Sequence, residues 1–372
     1  MAKLTGYNSG ILESNMIYDQ LRHLGWDNWF TEQAQELNLT GQRLARVAAV
    51  DREQFLVVDE SGEYRARLAG RFLFQAGQSS DFPCVGDWVA LQHDSADDFG
   101  IIHDILPRSS FLRRKAAGET SDSQMIAANI DRALIVQSCH FDFNINRLER
   151  YLVMVRDGRV HPLIILTKTD LVTPDTLHQI MSQISGNGIS VPVIPLSNLT
   201  GAGVDAVRNL LHPGKTYCLL GSSGVGKSTL INQLLGNQAV ATGMVSATGE
   251  GRHTTVRREL IRLENGAMLI DNPGMREFGI FGSDDGLEES FADIYALATR
   301  CKFGDCSHAN EPGCAVLQGL ESGDLTHAHY RNFLKLRSEA EFHDLSQHEK
   351  RQKDKDFGRF VKSVKNELKI RR

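Results

Sequence analysis

Gly221-Ser222-Ser223-Gly224-Val225-Gly226-Lys227-Ser228 is the stretch that decides the fold. Glycines at 221, 224 and 226 let the backbone turn its N–H groups inward without Cβ clashes, so the loop can cradle the oxygens of a polyphosphate. Lys227 then reaches the β and γ oxygens, and the Ser228 hydroxyl is placed to ligate the Mg²⁺ that bridges them. The flanks agree with this reading. TYCLL at 216–220 reads as a short buried strand, and STLINQLL at 228–235, with Thr229 in its first turn, reads as a helix whose positive end faces the anion.

The base-reading element lies before this loop. Leu166-Thr167-Lys168-Thr169-Asp170-Leu171 follows an apolar strand at 162–166 and matches N-K-x-D with Thr167 in place of Asn. A carboxylate at Asp170 can accept both guanine donors, N1–H and the 2-amino group; adenine offers no such pair and leaves the acceptor unpaired. Lys168 lays its aliphatic stem over the base. Thr167 removes one amide contact, which bears on affinity more than on base choice. VIPLS at 193–197 reads as another short strand, ending in Ser197 and Asn198, where backbone N–H groups are placed to hold the guanine O6.

Two further segments follow the phosphate loop. Gly251-Arg252-His253-Thr254-Thr255 resembles a first switch, and Asp271-Asn272-Pro273-Gly274 is a D-x-x-G second switch after a strand at 267–270. In such sites a switch threonine, here Thr254 or Thr255, completes Mg²⁺ coordination, Asp271 holds the metal's shell through water, and the Gly274 N–H senses the γ-phosphate. Met275 stands where many GTPases keep a water-orienting glutamine, and a thioether cannot orient water. The order is guanine motif, second base loop, phosphate loop, switch one, switch two, a rotation of the ordinary one. A parallel sheet with helices on both faces permits it, because the site is assembled at strand C-terminal ends from spatial neighbours. Both switches then feed whatever follows residue 280, so nucleotide state can pass to a C-terminal module.

That module carries Cys301, Cys306, His308 and Cys314, spaced C-x4-C-x-H-x5-C. Three thiolates and an imidazole match a closed, four-coordinate structural zinc site, with Gly304, Pro312 and Gly313 letting the loop fold around the ion. Four protein ligands leave no position for water, so zinc is expected as a staple without a catalytic part, ahead of a redox cluster or coincidental cysteines. Cys84, Cys139 and Cys218 are scattered, which favours free buried thiols.

Upstream, residues 42–106 alternate in five short runs (RLARVAAV, QFLVVDE, EYRARLAG, DWVALQ, GIIHDIL) separated by Asp, Gly and Ser turns, the pattern of a small oligonucleotide-binding barrel. Arg108, Arg113, Arg114 and Lys115 form a basic cluster just after it, and residues 14–24 and 26–37 read as helices of unassigned role. Net charge is −5, but residues 350–372 hold ten Lys or Arg against three acids, leaving −12 on the rest. A basic tail on an acidic body points to one local contact with a phosphate backbone. Residues 333–345 read as the helix that supports the tail; Phe357, Phe360 and Val361 serve packing or base stacking, with packing favoured. A composition of 41% apolar and 23% charged residues is that of a soluble globular protein. No apolar run approaches membrane length and the start MAKLTGYNSG has no signal core, so a cytoplasmic location is expected.

The permuted motif order, GSSGVGKSTL, GRHTT, DNPG with Arg276 soon after, and the Cys/His cluster resemble one family. It is the circularly permuted GTPases that assist late maturation of the small ribosomal subunit, called ribosome small-subunit-dependent GTPase A. The resemblance covers about residues 41–372. It implies a multidomain chain: an N-terminal all-β OB-type barrel (41–108) after a helical extension (1–40), a central α/β permuted P-loop GTPase (109–280), and a mainly helical C-terminal zinc domain with a basic tail (281–372). It also implies one Zn²⁺, Mg²⁺ with GTP, contact with the 30S subunit and its 16S rRNA, hydrolysis stimulated by that subunit, and His253 as the group that positions the attacking water. A monomer without membrane contact is expected. The chain departs from the family's pattern at Thr167, at Asn272 where Thr is usual, and in its longer N-terminus. Two rival classes are an RNA-binding scaffold with a vestigial nucleotide site and a P-loop ATPase or metabolite kinase, the latter opposed by Asp170.

Overall fold

The computed structural model describes residues 18–37, 39, 42–51, 54–75, 77–93, 99–115, 123–236, 258–271 and 284–344. His253, Thr254, Thr255, Gly274, Met275 and Arg276, together with the tail at 350–372 and its Phe357, Phe360 and Val361, lie outside the described residues.

The five alternating runs form β1 (Arg43–Asp51), β2 (Gln54–Asp59), β3 (Gly62–Leu68), β4 (Trp88–Gln92) and β5 (Phe99–Ile105). They pair in the order β1-β2-β3-β5-β4, and β4 returns to β1, closing a barrel in which only β3 and β5 run parallel. Closure around so few strands demands slender inward side chains, and Ala45, Val47, Val57, Ala66 and Val89 supply them with Phe55, Leu91 and Ile102. The alternate residues Leu44, Trp88 and Ala90 point outward, where they are buried by Leu21, Leu24, Trp26, Phe30 and Ala34 of the N-terminal segment. Trp26 meets Trp88 edge-on at 4.8 Å. The helix Asn28–Glu36 starts where the Asp27 carboxylate accepts from the Phe30 N–H. The extension is therefore a second layer on the barrel wall.

β6 (Phe111–Lys115) and β7 (Ser123–Ala128) form a separate hairpin. The basic cluster read at Arg108, Arg113, Arg114 and Lys115 falls here, and its three arginines are engaged within the fold. Arg108 makes a two-pronged pair with Asp87 at 2.8 Å and donates to the Ser80 and Phe82 carbonyls; Arg113 pairs with Asp157, and Arg114 donates to Gln124. These guanidiniums are structural bolts whose partners lie too far along the chain to be read locally.

The second sheet comprises β8 (Arg132–Ser138), β9 (His161–Thr167), β10 (Val193–Pro195), β11 (Thr216–Leu220), β12 (Glu259–Arg262) and β13 (Met268–Asp271). Its order is β10-β9-β8-β11-β13-β12, parallel except for β12. The helices Ile145–Asp157 and Pro174–Gly186 cover one face through Leu148, Leu152, Ile180 and Ile184. Val204–Leu210 and Lys227–Leu235 cover the other through Val204, Val207, Leu230 and Leu234. This is a doubly wound α/β layer. Ala49 of β1 pairs with Glu259 of β12, so the barrel edge runs on into this sheet. Arg46, 1% exposed, fastens the junction by donating to the carbonyls of Leu24, Gly86 and Asn129.

The C-terminal helices Asp284–Ser290, Ala292–Ala298, Ala315–Ser322 and His327–Asp344 gather around Phe291, Ile294, Val316, Phe333 and Leu336, and Val153 of the α/β layer enters the same core. The helix expected at 333–345 thus begins earlier, at His327. Among the described residues no helix is long and apolar enough to cross a membrane.

Candidate nucleotide site and metal centre

Because β8, β9, β10, β11 and β13 run parallel, their C-terminal ends share one edge of the sheet. Register puts Thr167 beside Ser138, Pro195 beside Leu166, and Asp271 beside Leu219. The loops that leave these ends carry the predicted site residues.

The phosphate loop follows β11. Gly221, Gly224 and Gly226 have φ of 146°, 79° and 100°, the left-handed region that glycine enters without strain. At Gly221 a Cβ would also stand 2.3 Å from the Val136 carbonyl oxygen. Lys227 opens the helix and folds its ammonium under the loop, donating to the Gly221 and Ser222 carbonyls at 2.8 and 2.7 Å. Burial pulls its pKa down while the Asp271 carboxylate opposes that; burial pushes Asp271 up while Lys227 opposes it. The two charges therefore stabilise each other at adjacent strand ends. Val225 is buried, whereas Ser223, Gly224, Ser228 and Thr229 are exposed, Ser228 and Thr229 on the first helical turn. A left-handed glycine loop, an ammonium and an exposed hydroxyl at a helix N-terminus suit an anion.

The base loops follow β9 and β10. Lys168 takes φ 59°, and Thr169–Leu171 form one 3₁₀ turn that carries Asp170 to the surface. The Ser197 hydroxyl donates to Asp170 Oδ1 at 2.5 Å and accepts from the Leu199 and Thr200 N–H groups, so the carboxylate is aimed from the neighbouring strand end. The sequence suggested only a main-chain role for Ser197; its side-chain role depends on the β9–β10 register and has no local signal. Thr169 N–H donates to the Leu196 carbonyl, joining the same two loops. Thr167 and Asn198, both turned toward the phosphate loop, donate to the carbonyls of Val225 and Gly226. The structure thus brings Thr167, Lys168, Thr169, Asp170, Ser197 and Asn198 together with residues 221–229 and Asp271.

The Cys/His cluster, the candidate metal centre, lies between the helices Ala292–Ala298 and Ala315–Ser322. The ligand atoms of Cys301, Cys306, His308 and Cys314 all fall within 4.8 Å of one another. Cys301 Sγ and Cys314 Sγ are 3.9 Å apart, and His308 Nδ1 is 3.6 Å from each. A tetrahedral ion about 2.3 Å from sulfur and about 2.0 Å from nitrogen sets those separations at about 3.8 and about 3.5 Å, so the donor set fits. The Ala315 N–H donates to Cys301 Sγ, the Tyr330 hydroxyl holds the His308 carbonyl, and the Glu311 carboxylate gathers the N–H groups of Ser307, Ala309 and Asn310. These contacts orient the ligands. Cys84, Cys139 and Cys218 are buried and form no disulfide among the described residues, in line with their scatter.

Strand order and loop placement define a circularly permuted P-loop GTPase joined to a β-barrel and a helical module with a Cys/His cluster. A family model described as RsgA GTPase matches residues 105–281. The small ribosomal subunit biogenesis GTPase RsgA 2 of Lactiplantibacillus plantarum is 43% identical over 82% of this chain and 86% of its own. RsgA 1 of Bacteroides thetaiotaomicron is 39% identical over 92% and 95%. The chain belongs to the RsgA GTPase family and hydrolyses GTP. Among solved structures, YloQ, a circularly permuted GTPase, shares 27% identity at a TM-score of 0.59 over 82% of this chain and 97% of that one. YjeQ from Thermotoga maritima shares the fold at a TM-score of 0.60 and 24% identity over 80% and 98%.

Proposed function

We propose that this GTPase is a late maturation factor of the small ribosomal subunit, binding the 30S particle and its 16S rRNA and hydrolysing GTP to GDP and phosphate when the particle stimulates it. The observation that carries the reading is the convergence of Asp170, held by Ser197, and the Lys227 loop on one sheet edge, in a chain whose relatives are named small ribosomal subunit biogenesis GTPases. Asp170 accepts the guanine N1–H and 2-amino donors, Lys168 covers the base, and the amides of 221–229 with Lys227 take the phosphates. The hydroxyl of Ser228, that of Thr254 or Thr255, and the carboxylate of Asp271 are hard oxygen donors suited to Mg²⁺. That ion, when bound, neutralises charge on the β and γ oxygens. Zn²⁺ suits the three thiolates and one imidazole of the C-terminal cluster and has no open position there, which makes it structural. The barrel and the basic tail supply the RNA contacts, and the protein works as a cytoplasmic monomer.

His253, with the particle ordering its loop, positions the attacking water that Met275 cannot. His253→Ala then keeps GTP affinity and loses stimulated turnover; lost affinity would make the residue structural. The decisive experiment is phosphate release against added small subunits, with large subunits as control. Unassisted turnover is expected at roughly 10⁻⁴ to 10⁻² per second, rising steeply with small subunits only. Equal rates with and without them overturn the proposal, and no release at all favours a scaffold.

A further inference from the structure

Two consecutive carbonyl oxygens of the phosphate loop are held by side chains from the base loops. Thr167 Oγ1 donates to Val225 O at 2.6 Å, and Asn198 Nδ2 donates to Gly226 O at 3.0 Å. A threonine hydroxyl has one hydrogen, and here it is shared between Val225 O and the Gln137 carbonyl at 3.2 Å. Thr167 therefore has nothing left for the next carbonyl. An asparagine at 167 would carry two N–H groups; in this chain the second donor stands one strand over, at Asn198.

Asn198 is itself held in place. Gln233, on the helix that Lys227 opens, donates its amide to the Asn198 carbonyl, so the base loop is tied both to the phosphate loop and to the helix that follows it. Gly226 has φ 100°, and a Cβ there would stand 2.7 Å from Asn198 Nδ2, so the amide fills the space beside the glycine. Asn198 Oδ1 is buried at this seam with no hydrogen-bond partner among the described residues. A buried acceptor left unpaired costs stability, which argues that the side chain is kept for its contact with the loop.

We infer that Asn198 is a positioning residue for nucleotide binding. With Thr167 it supplies in two pieces the fastening between base loop and phosphate loop, so that engaging the base and ordering the phosphate loop become one coupled event. This rests on the reading of residues 167–170, 197–198 and 221–229 as a single nucleotide site.

The test is GDP affinity and dissociation rate, followed with a fluorescent GDP, for the full-length wild type, Asn198→Ala, Thr167→Val, Thr167→Ser and the Ala/Val double variant, with melting of the nucleotide-free proteins alongside. Asn198→Ala and Thr167→Val each weaken GDP binding about tenfold and speed its release, while their nucleotide-free melting temperatures stay within about 2 °C of wild type. Thr167→Ser restores affinity because it keeps the hydroxyl. The double variant loses less than the product of the two single losses, as partners in one fastening do. Wild-type GDP affinity in Asn198→Ala overturns the inference, as does a loss matched by a lower melting temperature. If the wild type itself fails to bind GDP, the site reading fails; if it binds and Asn198→Ala binds as tightly, only the role of Asn198 fails.

Discussion

His329 Nδ1 lies 2.6 Å from Glu149 Oε1, with both side chains 1% exposed, and this contact joins the C-terminal helix His327–Asp344 to the helix Ile145–Asp157 that flanks the nucleotide sheet. The other imidazole nitrogen meets Asp293 at 3.2 Å, and Glu149 also accepts from Asn187 and Asn332. Two carboxylates around one imidazole make a charged, fully engaged seam between the module that carries the Cys/His cluster and the GTPase layer.

This seam makes stability depend on pH. Burial works against the imidazolium, but the hydrogen bonds and charges of Asp293 and Glu149 outweigh it and hold His329 up at about 9. With the unfolded value near ~6.5, the stabilisation is fully present below that pH and is lost as pH rises through about 9. His329→Gln is expected to cost about 3 kcal/mol at pH 6, and the gap to wild type should narrow by pH 10. Denaturant midpoints at several pH values check this; a gap independent of pH would show that the imidazole is neutral.

A second prediction concerns Arg46. Burial lowers its guanidinium to about 10, against the pull of Asp131, Asp87 and Asp27, so it stays charged at neutral pH. Arg46→Met strands the Leu24, Gly86 and Asn129 carbonyls and is expected to destabilise the protein by about 3 kcal/mol or more. Urea unfolding measures the loss, and hydrogen exchange should place it in residues 18–37 and the barrel. An unchanged midpoint would contradict the assigned role.

Metal content offers a third check. Purified protein should carry one equivalent of zinc by elemental analysis, and Cys306→Ser or a strong chelator should remove it. Cys139→Ser, at a free thiol remote in sequence from the cluster, should leave it in place. Because ligand binding and folding are coupled at such sites, removal should lower the melting temperature and raise exchange in the helix Ala315–Ser322. Full stability after removal would make the cluster dispensable.

Much of this was legible along the chain where chemistry is local. Three glycines before a lysine imply a left-handed loop, alternating runs imply barrel strands, and close cysteine spacing implies a metal, because each rests on neighbours in sequence. What depended on register or on distant partners was not legible. Nothing near Arg46 along the chain shows that Leu24 and Asn129 supply its acceptors. The role of the N-terminal helices emerged only with the outward face of Leu44, Trp88 and Ala90. Thr167 reads as a lost contact, yet its hydroxyl reaches Val225.

On the proposed reading, one pocket assembled from segments in permuted order reads guanine through Asp170 and binds phosphate through Lys227. Asp170→Asn replaces an acceptor by a donor at the base's 2-position, so affinity should pass from GTP to xanthosine triphosphate, whose carbonyl there accepts. The direct measurement is competition of GTP and xanthosine triphosphate for wild type and Asp170→Asn. The variant is expected to lose GTP by at least about a hundredfold and to gain the xanthosine nucleotide, while Lys227→Ala loses both. Unaltered preference for GTP in Asp170→Asn would contradict it.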